Sequence, residues 1–123
     1  MIVDQHLGPL STPIYRYLHH EPFHPEAKNW VFPSVGPLSD ANGALAWIIF
    51  ERDRARFDRL FPRLKVVRYE PHTPLRYWLS GGLKWWSLLP GVLFSCATRL
   101  DEDLMRMWPR LASFVDIEIE KQP

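Results

Sequence analysis

The chain has 123 residues, of which 46% are apolar and 24% are charged, and its formal net charge at pH 7 is +1. This composition is typical of one globular domain and excludes a disordered tail. A net charge this small also excludes the broad basic field that attracts nucleic acid. We therefore expect a single domain, residues 1–123, without a nucleic-acid partner.

Cysteine use and the first residues bear on the cellular compartment. Cys96 is the one cysteine, which excludes an internal disulfide and a thiolate metal cage and fits a reducing compartment. Because it lies in an apolar run, we expect an inert, buried thiol. The start of the chain lacks the basic and long apolar segments of a signal peptide, and the apolar stretch 85–97 is too short to span a bilayer. We expect a cytoplasmic protein.

The first part of the chain predicts a strand, a helix and a long loop. Ile2-Val3 is apolar and indicates the end of a strand. Thr12 followed by Pro13 predicts a helix that runs to about Glu21, because a capping hydroxyl and a proline at the first helical position favour a helix start. Residues 23–38 are punctuated by proline and predict a loop, whose expected anchors on the body are Trp30, Val31 and Phe32.

The longest predicted helix opens at Ser39-Asp40 and ends before Pro62. Its inward face is expected to consist of Leu45, Ile48, Ile49, Phe57, Leu60 and Phe61. The arginines on its other side alternate with acidic residues, so we interpret them as a solvated face rather than a phosphate-binding surface.

The second half of the chain predicts two strands and one helix. Residues Leu64–Glu70 form a strand, which Pro71 should end. Asp101–Trp108 has an acidic first turn that complements a helix dipole. Phe114–Glu120 alternates strictly between apolar and acidic residues, which predicts a strand with one buried and one wet face. Strands that alternate with helices indicate an α/β layer structure.

The stretch Arg76–Gly91 gathers three of the six tryptophans around the turn Ser80-Gly81-Gly82. Amphipathic aromatic residues beside a double glycine are typical of a surface that covers a substrate cleft, a partner or a membrane interface. The alternative is a tryptophan-rich corner of an ordinary core. Arg76 and Lys84 flank the turn and are suited to hold an anionic group.

Residues His20–His24 match the H-E-x-x-H pattern of metallopeptidases. That chemistry needs both histidines on one face of a continuous helix, whereas Pro22 lies between them and disfavours helix. We therefore expect no metal site. His19, His20 and Glu21 are suited to acid–base work near neutral pH, and the alternative is that these histidines interact with the carbonyls of a helix C-terminus.

The order of elements resembles the C-terminal half of a class I S-adenosylmethionine-dependent methyltransferase. In that family the last strand of the sheet inserts antiparallel between its two predecessors. Met1–Asp4 resembles the end of the fifth strand, Ser39–Phe61 the helix after it, Leu64–Glu70 the sixth strand and Phe114–Glu120 the seventh. Three sequence segments are similar to sequences of a bacterial subgroup of these enzymes: HLGPLSTPIYRYLHHEP, ANGALAWIIF and RYWLSGG.

The resemblance implies an α/β fold with a partial Rossmann-like methyltransferase sheet in the strand order five, seven, six, with helices and with insertions at about residues 5–38 and 72–99. It implies the substrate-side portion of the enzyme, which positions a small-molecule methyl acceptor. The family binds S-adenosylmethionine through its N-terminal half. No residue of this chain is therefore assigned to the cofactor, and we expect the chain alone to bind none and to be inactive.

On the acceptor side, the resemblance implies catalytic roles for His19, His20 and Glu21. The substrate-binding residues would be Arg76, Tyr77 and Ser80, with Trp78, Trp85 and Trp86 as a wall or lid. The fifth strand would expose an edge that the other half normally covers, so we expect a homodimer through the N-terminal strand.

A second hypothesis comes from a different class of protein. The chain would then be a small non-catalytic α/β interaction module that uses the surface Trp78–Phe94 to contact a protein partner or a membrane interface. Lys84, Trp85, Trp86 and Leu88 suit peripheral contact with lipid headgroups.

Overall fold

A computed structural model describes residues 1–19, 21–31, 41–80 and 90–123. It shows a mixed α/β domain with a three-stranded antiparallel sheet of β1 (Ile2–Gln5), β2 (Leu64–His72) and β3 (Phe114–Lys121). The strand order is β1-β3-β2, and β3 runs antiparallel to both neighbours. The predicted central position of the C-terminal strand is thus confirmed.

The β2 strand continues beyond its predicted end. Pro71 pairs with Val115 and His72 pairs with Phe114, so the strand does not stop at Glu70. A proline is compatible with pairing here because β2 is an edge strand in the described sheet, where one side of the backbone needs no hydrogen bond. The pairing shifts between Val66 and Arg68, which marks a β-bulge at Val67.

Five α-helical segments accompany the sheet in the described chain. They are α1 (Ser11–Tyr17), α2 (Leu45–Trp47), α3 (Arg54–Leu60), α4 (Arg76–Leu79) and α5 (Phe94–Met107). A π-helical turn, Ile48–Arg52, follows α2, and the 3₁₀ turns Gly91–Leu93 and Pro109–Leu111 flank α5. Across these described ranges, no helix has the length and apolar character needed to cross a bilayer.

The first helix is shorter than predicted and begins without the expected cap. It starts at Ser11, and the Thr12 hydroxyl finds no hydrogen-bond partner among the described residues. Ser11 binds the preceding turn instead: its Oγ accepts from the Gly8 N–H at 2.9 Å and donates to the His6 carbonyl at 2.7 Å. The helix ends at Tyr17 rather than Glu21.

The long predicted helix is divided, and its beginning at Ser39-Asp40 lies outside the described residues. A π-helical turn carries one extra residue per turn, and Asp53 leaves helical geometry with φ −106° and ψ 25°. The rows of side chains beyond this point are therefore rotated. Ile48 and Phe57 are buried as predicted, but Leu60 and Phe61 are 55% and 44% exposed, so their predicted inward orientation is wrong.

Two buried clusters form the core. One contains Tyr15, Phe23, Ala44, Ile48 and Trp78, and the other contains Ala46, Phe57, Val66, Val115 and Ile117. Val115 and Ile117 have no exposed surface, which confirms the alternation predicted for the last strand. The last helix also begins earlier than predicted, at Phe94 instead of Asp101. Residues 94–100 continue its inward face, because Ala97 is buried one turn before the buried Asp101.

The segment 21–31 is held to α3 through Trp30. The Trp30 indole N–H donates to Asp53 at 2.9 Å, and Arg52 joins the same carboxylate to the Pro25 carbonyl. The bonds from Arg52 and then from Trp30 lower the pKa of Asp53 from 3.8 to about 2. Trp30 is thus an anchor as predicted, whereas Val31 is 86% exposed and is not; Phe32 lies outside the described residues.

Ser113, just before β3, joins five segments of the chain. Its carbonyl accepts from the His6 N–H at 2.9 Å and the Tyr15 hydroxyl at 2.5 Å, and its N–H donates to His72. Its hydroxyl accepts from the Trp78 indole N–H at 2.8 Å and donates to the Pro74 carbonyl at 3.0 Å. Ser113 is fully buried, so these bonds have no exposure to solvent.

Replacement of Ser113 by alanine should destabilise the domain strongly. Ser113→Ala leaves a buried indole N–H and a buried carbonyl without their partner, which should lower the free energy of unfolding by about 2–4 kcal/mol. The control is Ser80→Ala. Among the described residues, the exposed Ser80 hydroxyl donates to the Arg76 carbonyl of its own helix, and its loss should cost about 0.5 kcal/mol or less. Urea unfolding measures both, and equal losses would contradict the role of Ser113.

Candidate functional site

A cleft lies between the end of β2, α4 and α5. One cavity of about 370 Å³ has a largely apolar wall made by Val3, Tyr77, Phe94 and Phe114. A second cavity, of about 350 Å³, lies on the α5 side and includes Asp101 and Arg106. The two cavities share His72, Thr73 and Arg76, so these three residues form the divide between an apolar and a polar compartment.

Arg76 is positioned by a carboxylate of α5. The backbone N–H groups of Leu75 and Arg76 donate to the buried Asp101 side chain at 3.0 and 3.1 Å, which satisfies the first free donors of α4. The Arg76 guanidinium donates to the Thr98 hydroxyl at 3.2 Å and lies 5.6 Å from the Phe94 ring centre. Within the described residues, no carboxylate forms an ion pair with it.

His72 joins Asp116 to Thr73. Its Nε2 is 3.1 Å from an Asp116 carboxylate oxygen, and its Nδ1 is 2.8 Å from the Thr73 hydroxyl. An ionised carboxylate only accepts hydrogen bonds, so Nε2 donates to Asp116; when the ring is neutral, Nδ1 then accepts from the Thr73 hydroxyl. The Phe114 ring stacks on the imidazole at 6.2 Å. This carboxylate–imidazole–hydroxyl chain can hold or relay a proton at the divide.

Thr73 has an unfavourable backbone conformation. Its φ is +50°, which makes it the one non-glycine residue with positive φ in the described chain. A β-branched side chain rarely adopts this region, and the Pro74 that follows restricts the backbone further. Strain of this kind costs about 1–3 kcal/mol and is concentrated at binding and catalytic sites.

Three of the predicted substrate-binding residues lie together. Arg76, Tyr77 and Ser80 all line the apolar cavity. Trp78 does not: it is 7% exposed, packs edge-on against Tyr15 at 5.0 Å and donates to Ser113, so it is a core residue and its predicted role as a wall or lid is wrong. Trp85 and Trp86 lie outside the described residues, as does the Gly81-Gly82 turn.

The predicted acid–base residues lie elsewhere. The His19 ring packs edge-on against Tyr15 at 5.8 Å, and its Nδ1 is 3.9 Å from the Glu21 carboxylate. Glu21 accepts from the Gln5 amide at 3.2 Å. Neither residue is among the described residues that line the cleft. His20 lies outside the described residues, and no group of three or more potential metal ligands occurs among those described.

Sequence reasoning did not identify His72, Thr73 or Asp116 as site residues. His72 and Thr73 lie between two prolines, in a segment that was predicted to interrupt the strand. Asp116 is one of several acidic residues on the solvent-facing side of the last strand, so nothing in the sequence distinguished it. They meet because β2 runs two residues further than expected, opposite the start of β3. Cys96 was also misjudged: it is exposed, because its neighbour Ala97 is the residue that faces inward on α5.

A second polar cluster lies on the other side of the β2 end. The Tyr69 hydroxyl donates to Glu51 at 2.6 Å and is 3.3 Å from the His6 imidazole. Burial lowers the pKa of His6, and burial together with the bond to Glu51 raises the pKa of Tyr69. All three residues line an open cavity of about 450 Å³. Their mutual bonds fasten the π-helical turn to the sheet.

Replacement of Thr73 by glycine and by alanine separates backbone strain from the hydroxyl. Both changes remove the bond to His72, but only glycine adopts a positive φ without cost. We expect Thr73→Gly to be more stable than Thr73→Ala by about 1 kcal/mol, although glycine normally gives a less stable protein than alanine does at the same position. Thermal unfolding of the two variants measures this difference. A more stable alanine variant would show that the strain is absent.

Comparison with protein-family models, with curated proteins and with solved structures gave no match. The function is therefore inferred from the strand arrangement of the sheet and from the side chains of the cleft.

Proposed function

We propose that this chain is the C-terminal, substrate-side part of a class I S-adenosylmethionine-dependent methyltransferase. The observation that carries the proposal is the place of β3, which is last in the chain, central in the described sheet and antiparallel to both neighbours. The same insertion of the last strand between its two predecessors characterises the family that the sequence resembles. Under this proposal β1, β3 and β2 are strands five, seven and six of a partial Rossmann-like sheet.

The cleft supports a role on the acceptor side. Arg76, Tyr77 and Ser80, which the resemblance assigned to substrate binding, line one cavity of about 370 Å³. A concave site of this size with apolar walls and a few polar groups is typical for small molecules. In the proposed enzyme this portion binds and orients a small-molecule methyl acceptor and excludes water from it. His19, His20 and Glu21 stay predictions as catalytic residues of the proposed enzyme.

The described residues do not fit the methyl donor. The family holds it with a glycine-rich loop after a strand, and Gly8 is the described glycine that follows one. A Cβ at Gly8 would be 2.5 Å from the Arg110 carbonyl and 2.8 Å from that of Ala112, so its surroundings are filled by backbone and offer no space for a cofactor. Under the proposal, donor binding belongs to a part of the enzyme outside this chain.

The two edges of the described sheet differ in how well they resist pairing. β2 carries Lys65 and Arg68, a bulge and Pro71, all of which hinder the addition of another strand. β1 carries Ile2 and Val3, which are 39% and 56% exposed. In the proposed enzyme, the donor-binding half covers the β1 edge.

The proposed function is tested with the DNA upstream of the Met1 codon. An in-frame segment that encodes a strand followed by a glycine-rich loop is expected there. The polypeptide extended by that segment should bind S-adenosylmethionine in calorimetry, whereas residues 1–123 alone should not. An upstream segment without these features, or an extended chain that does not bind, would overturn the proposal.

Residues 1–123 alone should dimerise through β1, because its edge carries the exposed apolar side chains of Ile2 and Val3, and its one acidic residue, Asp4, is half-buried. Val3→Lys should weaken dimerisation at least tenfold, a decrease of about 1.4 kcal/mol in association free energy, in light scattering coupled to gel filtration. The control is Val92→Lys, since Val92 is 87% exposed but lies outside the sheet. A monomer at high concentration would count against this interface.

A second candidate function is a non-catalytic interaction module. The observation that favours it is the set of exposed apolar side chains on and beside α5: Val92, Leu93, Phe94, Leu100, Met107 and Trp108. Exposed apolar surface of this kind marks contact with proteins or lipid headgroups. Co-sedimentation with liposomes that is lost in Val92→Asp and Trp108→Ala would favour the module over the methyltransferase part.

A further inference from the structure

We propose that the cleft binds a small aromatic acid that carries a hydroxyl group at the meta position, on the same side of the ring as its carboxylate but too far from it for the two groups to bond to each other. The polar end would contact Arg76 and Thr73 at the divide, and the ring would occupy the apolar cavity. The inference names the substrate class of the proposed acceptor site, and its link to methyl transfer rests on the proposed function. Binding itself depends only on residues described in this chain.

Arg76 provides the contact for the anion. Its guanidinium donates to a neutral hydroxyl and lies over an aromatic ring, and no described carboxylate neutralises it. An arginine has five N–H donors in a planar fork, so the bond to Thr98 leaves donors for a bidentate carboxylate. Its backbone is fixed by Asp101, so little conformational freedom is lost when a ligand binds.

The apolar cavity provides the contact for the ring. Tyr77 and Phe114 meet edge to face at 4.7 Å, and Phe94 lies under the Arg76 guanidinium. Aromatic rings prefer offset or edge-on neighbours, and this wall presents them from α4, α5 and β3. A cavity of about 370 Å³ is within the usual range for small-molecule sites and is ample for one substituted ring.

Thr73 provides the contact for the hydroxyl. Because its own hydrogen is donated to His72, the Thr73 oxygen has free lone pairs that accept a hydrogen bond from a ligand. Asp116 fixes the tautomer of His72 and hence the direction of the Thr73 hydroxyl. This role explains why a strained threonine is kept beside Pro74 when glycine would relieve the strain.

The remaining charges favour placement of the acid at Arg76. Besides Arg76 and His72, which line both compartments, the ionisable side chains of the polar compartment are Glu70, Asp101, Glu102 and Arg106. Because three of these four are acidic, the polar compartment is the less favourable place for a carboxylate. Among the described residues, the apolar compartment has no acidic lining residue, and Arg76 is its arginine. The ring is therefore directed to the apolar side, and both polar groups stay at the divide.

The test uses residues 1–123 and three probes that differ by one group each: 3-hydroxybenzoate, benzoate and benzyl alcohol. The meta hydroxyl of 3-hydroxybenzoate cannot bond to its own carboxylate and so stays free to donate to Thr73. Binding is followed by chemical-shift changes in ¹H–¹⁵N spectra. We expect 3-hydroxybenzoate to bind with a Kd on the order of 1 mM, benzoate several-fold more weakly and benzyl alcohol not measurably. Arg76→Gln should weaken 3-hydroxybenzoate binding at least tenfold, whereas Arg99→Gln, on the exposed part of α5, should leave its affinity unchanged.

Thr73→Gly should abolish the preference for 3-hydroxybenzoate over benzoate. The inference is overturned if 3-hydroxybenzoate causes no shifts at 10 times the expected Kd, if benzyl alcohol binds as well as the acids, or if the preference survives Thr73→Gly. The probe series on the unmodified chain decides the matter even where a variant fails to fold. Absence of binding would leave the strand order, and with it the proposed function, untouched. Failure of the extended chain to bind S-adenosylmethionine would leave the ligand site in place.

Discussion

The hydrogen bonds of Ser113 are the interaction on which the arrangement of this domain most depends. One buried residue before the central strand satisfies polar groups from the ends of β1 and β2, from α1 and from α4. A buried polar group is stabilising only when its partners are complete. The same residue therefore fixes where β3 begins, holds Tyr15 and Trp78 in the core, and places the start of α4 above the sheet.

The cleft follows from that anchoring. Because β2 reaches His72 and the chain then turns at Thr73 and Pro74, His72 and Thr73 line both compartments of the cleft. Asp101 of α5 then receives the first N–H groups of α4. The apolar wall, the arginine and the carboxylate–imidazole–hydroxyl chain come from segments far apart in sequence. Because these groups meet beside Thr73, the proposed ligand site accounts for the strained backbone of Thr73, which packing alone does not explain.

Features that follow from a periodic sequence pattern were predictable, whereas contacts between residues distant in sequence were not. The segment Phe114–Glu120 has one buried face, and the alternation of apolar and acidic residues within that segment is enough to predict it. The π-helical turn at Ile48–Arg52 has no such signature, so the orientation of Leu60 and Phe61 was missed. Trp78 has the same amphipathic chemistry in a core as on a surface, and its burial is decided by Ser113, which is distant in sequence. His72 and Asp116 are likewise joined only by the register of two strands.

The contact between Asp101 and α4 has a geometric consequence. The backbone of α4 and the axis of α5 are separated at this point by the length of one aspartate side chain. The breadth of the polar compartment, which Asp101 lines, therefore depends at this point on the length of one side chain. Glutamate at this position would lengthen that spacer by one methylene and move α4 away from α5 without any change to the sheet.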